Sequence, residues 1–330
     1  MHQKKITKAH VKNLLEQEYH LSDYDEQGRT IKQIKQEIEV SRKITLKEKI
    51  DRVDSNLPHH ILHAVKRSRD KGVGNWLNCI PLEKQGFKMN KQQFRDSLRL
   101  RYGLKLDNLP SVCACGDKFS VCHSLSCKKG GFVCRRHDNI RDIFTNLLSK
   151  VCKNVASEPN LIPVDNEKFK FKTANIQDDA RLDIKANDFW QNGQTAFFDI
   201  RVTHVDCPTN QESETNRIFK KHEDEKKREY LERVLEVEHG SFTPLVFGTN
   251  GGMGVECSLF VKNLASLLSK KEDEKYATVM EWLRTKLSFE ILRSALLCVR
   301  GSRTPFSNNI ESGFYGDFAL NSKEAQIPGS

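Results

Sequence analysis

Two short stretches, Arg181-Leu182-Asp183-Ile184 and Ala196-Phe197-Phe198-Asp199-Ile200-Arg201-Val202, decide how this chain is read. Asn192-Gly193 lies between them and is a strong signal for a tight hairpin turn. Side chains alternate along a strand, so Asp199 and Arg201 share one face, while Phe198, Ile200 and Val202 share the other. An acid in so apolar a strand is costly unless it is paired or holds a cation. Asp183 sits in the same way between Leu182 and Ile184. A hairpin that pairs the two strands brings the acids toward one point. There they either ligate one Mg²⁺, which prefers oxygen ligands and retains water, or pair with Arg181 and Arg201 in a structural network. Glu158, just before Pro159, is a candidate third carboxylate.

Around this pair the pattern is mixed. Ile143, Phe144, Leu147, Leu148, Val151 and Val155 recur at helical spacing and predict an amphipathic helix over 140–155. Strand-like segments follow at 158–164, 180–187 and 195–204, then a long charged helix at 211–238. A short strand at 242–247 and helices at 254–270 and 273–299 complete the series. On the charged helix, Lys227 and Tyr230 lie three apart and face the same way. Lys227 is a candidate ammonium for the acidic pair and Tyr230 a candidate for ordering a water or phosphate; the competing reading is a solvated run of Lys226, Lys227 and Arg228.

Upstream, residues 111–137 crowd five of the ten cysteines beside His123. Cys113-x-Cys115, seven residues, His123, three residues, Cys127 is a pattern of two close pairs that closes on a structural Zn²⁺. Gly116 suits the tight turn. Cys122, Cys134 and His137 are alternative members of the ligand set. Immediately after comes Arg135-Arg136-His137-Asp138, then Arg141. These basic residues form either a phosphate patch at the helix start or a capping and ion-pair cluster.

Residues 1–55 read as a polar segment, helical or disordered, and 56–110 as a helical region. The knuckle occupies 111–137 and a mixed α/β domain 138–300, with a disordered tail over 301–330. The formal charge is +10 and favours a polyanionic partner. No apolar run approaches the roughly 20 residues that span a bilayer, and no secretory signal opens the sequence. The reading is therefore an intracellular protein, nuclear or cytoplasmic, and not a secreted or membrane one.

The combination resembles the C-terminal restriction-like endonuclease region, of PD-(D/E)xK type, of site-specific non-LTR retrotransposons. In that family a Cys-Cys-His-Cys knuckle precedes a basic-x-Asp step, a second acid and a Lys-x-x-Tyr on a helix. The matching residues are Cys113, Cys115, His123 and Cys127, then Arg181-Leu182-Asp183, Asp199, Lys227 and Tyr230. Gly130-Gly131-Phe132, Arg136-His137-Asp138, Phe242-Thr243-Pro244-Leu245 and Gly251-Gly252 are similar to segments of reverse-transcriptase-associated proteins, so the likeness runs over about 70 to 270. It implies a restriction-endonuclease-like αβββαβ core behind a small zinc knuckle and a helical N-terminal region. It also implies Mg²⁺-dependent phosphodiester hydrolysis on DNA, with Asp183 and Asp199 holding the metal and Lys227 assisting, and DNA or the RNA of a retroelement as the partner. A nick leaving a 3′-hydroxyl would serve a separate reverse transcriptase. Leu182 stands where the family has Pro, the gap between the acids is slightly longer, Arg201 stands where a strand Lys is usual, and no Tyr-x-Asp-Asp polymerase motif is present. The alternative is a zinc-knuckle nucleic-acid-binding module without catalysis.

Overall fold

A computed structural model of the chain describes residues 30–165, 167–210 and 212–301. Residues 1–29 and 302–330, which include most of the polar segment's first half and the Ser- and Asn-rich tail, lie outside the described residues. The chain divides after Pro58 into two units. In the first, helix α1 (Ile31–Ser55) starts at a capping box. The Thr30 side chain receives the Gln33 backbone N–H, and the Gln33 side chain receives that of Thr30. None of its side chains is buried.

The second unit contains the rest. Helices α2 (His59–Ser68), α3 (Lys91–Arg101) and α4 (Val121–Ser126) precede α5 (Phe132–Val151). Strands β1 (Lys153–Ser157), β2 (Ile184–Asn187) and β3 (Thr195–Thr203) follow, then α6 (Thr215–Glu236), β4 (Ser241–Gly248), α7 (Val255–Lys271) and α8 (Tyr276–Arg300). The fold is mixed α/β, built on a four-stranded sheet in the order β1-β2-β3-β4. The first two pairings are antiparallel and β3–β4 is parallel. A parallel pair requires a crossover, and α6 supplies it. β4 is an edge strand, which is where a proline such as Pro244 is tolerated in a sheet.

The sheet separates two apolar layers. On one face, Phe198 and Ile200 of β3 and Leu245 and Phe247 of β4 pack with Ile140, Phe144 and Leu148 of α5, Phe260 and Leu264 of α7, and Leu283 and Leu287 of α8. Helix α8 is buried over most of its surface, and its charged residues, among them Arg284, Lys286 and Arg293, lie outside the buried set. On the other face, Phe197 and Phe242 meet Tyr230 and Val234 of α6, together with Leu161 and Leu182. Asp199 belongs to this second face and is therefore covered by α6.

The first strand departs from expectation. It lies at 153–157, directly after α5, and 158–164 is not a strand; Asn160 makes only an isolated bridge to Arg181. The segment between β1 and β2 is a long loop pinned by Arg233. This arginine is fully buried on α6 and donates to the carbonyls of Asn175 (2.7 Å), Gln177 (2.9 Å) and Ile162 (2.8 Å). Arg233→Ala leaves three carbonyls without that donor and a void beneath the loop. We expect it to cost about 3 kcal/mol or more in a urea unfolding titration.

Candidate functional site

The hairpin registers Ile184 opposite Phe198, so Asp183 stands just before the paired part of β2. Beyond that point β3 runs on without β2 beside it, and the Ile200 N–H is left facing the gap. The Asp183 carboxylate takes it: Oδ2 accepts from Ile200 N at 2.5 Å. The same oxygen lies 3.1 Å from His137 Nε2 on α5. That hydrogen bond raises the His137 pKa; burial opposes the rise, and the charges of Asp183 and Asp199 add to it.

Asp199 is nearly buried, with 6% exposed. Lys226 Nζ on α6 lies 3.3 Å from its Oδ1 and 3.2 Å from its Oδ2. Only the contact to Oδ1 has hydrogen-bond geometry, and Oδ2 is buried without a directed donor. Burial pushes the Asp199 carboxyl up to about 7. Lys226 pulls it down, and the negative charge of Asp183 pushes it up further. The Lys226 ammonium also sits 3.3 Å from Glu229 and over the Tyr230 ring, 5.2 Å from its centroid. Tyr230 is buried, and its hydroxyl oxygen accepts from Asn175 Nδ2 at 3.3 Å.

Asp183, Asp199, His137, Lys226 and Tyr230 are therefore one cluster, and several of the residues singled out by sequence are not in it. Lys227 points away and forms a close ion pair with Glu256 at the start of α7; the ammonium beside Asp199 is that of Lys226. Helix periodicity explains the difference. The covered face of α6 runs through Phe219, Glu223, Lys226, Tyr230 and Arg233, at steps of three and four, and Lys227 lies about 100° round from Lys226. Arg201 shares the strand face of Asp199 but pairs with Glu225 at 2.9 Å. Glu158 donates its backbone N–H to the Asp183 carbonyl at 2.8 Å, while its carboxylate is held by Arg141 and lies 3.6 Å from Arg181. Among the described residues no third carboxylate or imidazole completes a compact metal-ligand group with Asp183 and Asp199.

The basic run at 135–141 is mostly an internal network. Arg136 is buried and donates to the Leu125 carbonyl at 3.1 Å, fastening α5 to α4. Arg141 is engaged by Asp138, Asp142 and Glu158, which is the ion-pair alternative of the sequence reading. His137 belongs to Asp183. Arg135 alone of the four is exposed.

The second feature is the cysteine–histidine cluster. A tight turn places Cys113 and Cys115: Gly116 donates to the Cys113 carbonyl at 2.8 Å and has φ +96°, a conformation that favours glycine. Ser120 caps α4, accepting from the His123 N–H at 3.0 Å, so His123 lies in the first turn and Cys127 at the C-cap. Cys113 Sγ lies 3.8 Å from Cys127 Sγ, and Cys115 Sγ lies 3.3 Å from His123 Nε2. All four ligand atoms lie within 4.8 Å of one another. A tetrahedral zinc with Zn–S near 2.3 Å sets sulfurs about 3.8 Å apart, so this set fits a metal such as zinc. Asp117 Oδ2, 3.8 Å from His123 Nδ1, is placed to orient the ring. Burial raises the Cys113 thiol, but hydrogen bonds from the Cys115 backbone and the three other ligand side chains outweigh it and bring it to about 6. Cys122 and Cys134 stand outside the set. With every position filled by protein, a metal held here would be structural.

No protein-family model matches the chain, and neither does any curated protein.

Two outcomes follow from these geometries. We expect the purified chain to carry zinc, and Cys127→Ser or a strong chelator to release it with loss of cooperative melting around α4, read by calorimetry and metal analysis. Structural zinc binding contributes on the order of 10 kcal/mol in small zinc domains, so the loss should be large. Asp199 leaves a pH signature. Its raised pKa means that the folded protein holds a proton that the unfolded chain has released, from the ordinary carboxylate range up to about 7. Stability from this group therefore falls as pH rises through that window. We expect the Tm of wild type minus that of Asp199→Asn to fall between pH 4 and pH 7 and to level off above; a flat difference contradicts the assignment.

Proposed function

We propose that the chain is a Mg²⁺-dependent DNA endonuclease that nicks by phosphodiester hydrolysis. The observation that carries this reading is the Asp199 carboxylate: buried in an apolar strand, beside a second acid, with Oδ2 lacking a directed donor. A stability-driven core has no use for a buried acid whose proton it must hold to about pH 7. A divalent cation ligated by Asp183 and Asp199 meets that need, because it offsets both charges. The succession α5-β1-β2-β3-α6-β4 is also the one expected of a restriction-endonuclease-like core. The net charge of +10 suits a polyanionic substrate.

When bound, Mg²⁺ supplies a Lewis acid and an activated water. The chain's own groups do the rest. The Ile200 N–H and His137 hold the Asp183 carboxylate in one orientation. Lys226 brings an ammonium to the acidic pair from α6, the charge that such sites more often take from the strand position occupied here by Arg201. Tyr230 lies under that ammonium and limits where it can move. With Mg²⁺ held by Asp183 and Asp199, the Lys226 ammonium would be available to the scissile phosphate. Arg135 is the exposed cation of the α5 run and can meet the DNA backbone without reading sequence.

The sequence resemblance to the nuclease region of non-LTR retrotransposons supports the same reading. It adds the role of making a 3′-hydroxyl for a separate reverse transcriptase, with DNA or retroelement RNA as partner, in an intracellular, nuclear or cytoplasmic setting. Among the described residues no helix is long and apolar enough to cross a membrane.

The test is nicking of supercoiled plasmid in Mg²⁺. Asp183→Ala and Asp199→Ala should abolish it with DNA binding retained. Lys226→Ala should lower the rate about 100-fold, the scale of removing one preorganised charge stabiliser, whereas Lys227→Ala should change it by no more than a few-fold. DNA binding without nicking by wild type, in Mg²⁺ and Mn²⁺ alike, would overturn the enzyme and favour the zinc-knuckle binding module.

A further inference from the structure

A second group of metal-ligating side chains lies apart from both features described above. His59 and His63 are one turn apart on α2, and Glu212 comes from the loop that leads into α6. One ligand atom from each lies within 4.8 Å of the others. The two imidazoles turn their Nε2 atoms toward each other at 3.4 Å, with ring planes at 75°. Tetrahedral zinc with Zn–N near 2.0–2.1 Å sets two ligating nitrogens about 3.3–3.4 Å apart. A direct N–H···N hydrogen bond prefers a separation nearer 3.0 Å. The spacing thus suits two lone pairs directed at a common cation better than it suits the rings bonded to each other.

Proximity of a histidine pair on a helix is common, and the third ligand is what distinguishes this one. Glu212 comes from a distant part of the chain, and a buried arginine fixes the loop around it. Arg67, also on α2 and 6% exposed, donates to the carbonyls of Asn210 (2.5 Å) and Ser213 (3.0 Å), one on either side of Glu212. Arg67 also pairs with Asp206 at 2.9 Å, and Thr215 donates to Asp70 at 2.7 Å. Four contacts from α2 and the turn after it therefore hold the 206–215 segment against the helix and set the Glu212 carboxylate beside His59 and His63. These contacts fix the backbone that carries Glu212.

We propose that His59, His63 and Glu212 form a second zinc site, distinct from the cysteine–histidine cluster. Its two imidazoles and one carboxylate suit a borderline divalent ion, and three protein ligands leave a fourth position for water. The ion clamps the loop before α6 to α2, and so steadies the start of the helix that carries Lys226 and Tyr230. The site needs no assumption about DNA cleavage.

The experiment is calorimetric titration of Zn²⁺ into full-length protein whose cysteine cluster is already zinc-loaded, with Co²⁺ absorption as a second reading. We expect one further equivalent to bind in wild type. His63→Asn should abolish that equivalent and Glu212→Gln weaken it at least tenfold, with circular dichroism and the thiolate-to-cobalt bands of the cysteine cluster unchanged. Hydrogen exchange in 206–215 should slow on Zn²⁺ addition in wild type alone. Absence of a further equivalent, or one that both variants keep in full, would overturn the site.

Discussion

Asp199 is the group around which this fold is arranged. A carboxylate in the middle of β3, closed over by α6, costs free energy that a leucine would not, and its raised pKa expresses that cost. Its surroundings compensate only in part. Lys226 reaches one oxygen with hydrogen-bond geometry, and the adjacent Asp183 makes matters worse by its like charge. Asp183 in turn can sit there because β2 stops short and releases the Ile200 N–H, and because His137 comes down from α5. Three separate elements thus contribute a group to one acidic pair. Charged side chains are seldom gathered in this way by packing alone.

Much of this was legible in the sequence. The Asn192-Gly193 turn and the period-two alternation around Asp199 match the β2–β3 hairpin, with Asp199 on the face opposite Phe198 and Ile200. The cysteine–histidine spacing pointed to the four residues whose ligand atoms converge, because a short loop with two close pairs has few ways to fold. The first strand lies elsewhere because 158–164 carries apolar residues that serve the loop core: Leu161 packs in the layer under α6, and the backbone makes three hydrogen bonds to 180–183 but does not extend into a regular strand before Arg233 takes the Ile162 carbonyl.

The choice between Lys226 and Lys227 was decidable in principle. The covered stripe of α6 contains the buried Glu223 and Arg233 with the half-buried Lys226 between them, and a purely hydrophobic count of that helix cannot see it. Charged residues on a buried stripe are the informative ones. Arg136 repeats the lesson in reverse. It stands in a basic run that reads as surface, yet it is buried and bonded to a carbonyl. Neither the Arg201–Glu225 pair nor the convergence of Glu212 on His59 and His63 has a local signal, since each depends on how α6 and its leading loop dock.

The cation proposed for Asp183 and Asp199 is open to direct measurement. The most direct measurement is Mn²⁺ binding by electron paramagnetic resonance at pH 8, on zinc-loaded protein carrying His63→Ala so that the α2 site does not contribute. We expect bound Mn²⁺ that Mg²⁺ displaces and that either Asp183→Asn or Asp199→Asn removes. Mn²⁺ that stays free, or stays bound in both variants, would contradict the proposal.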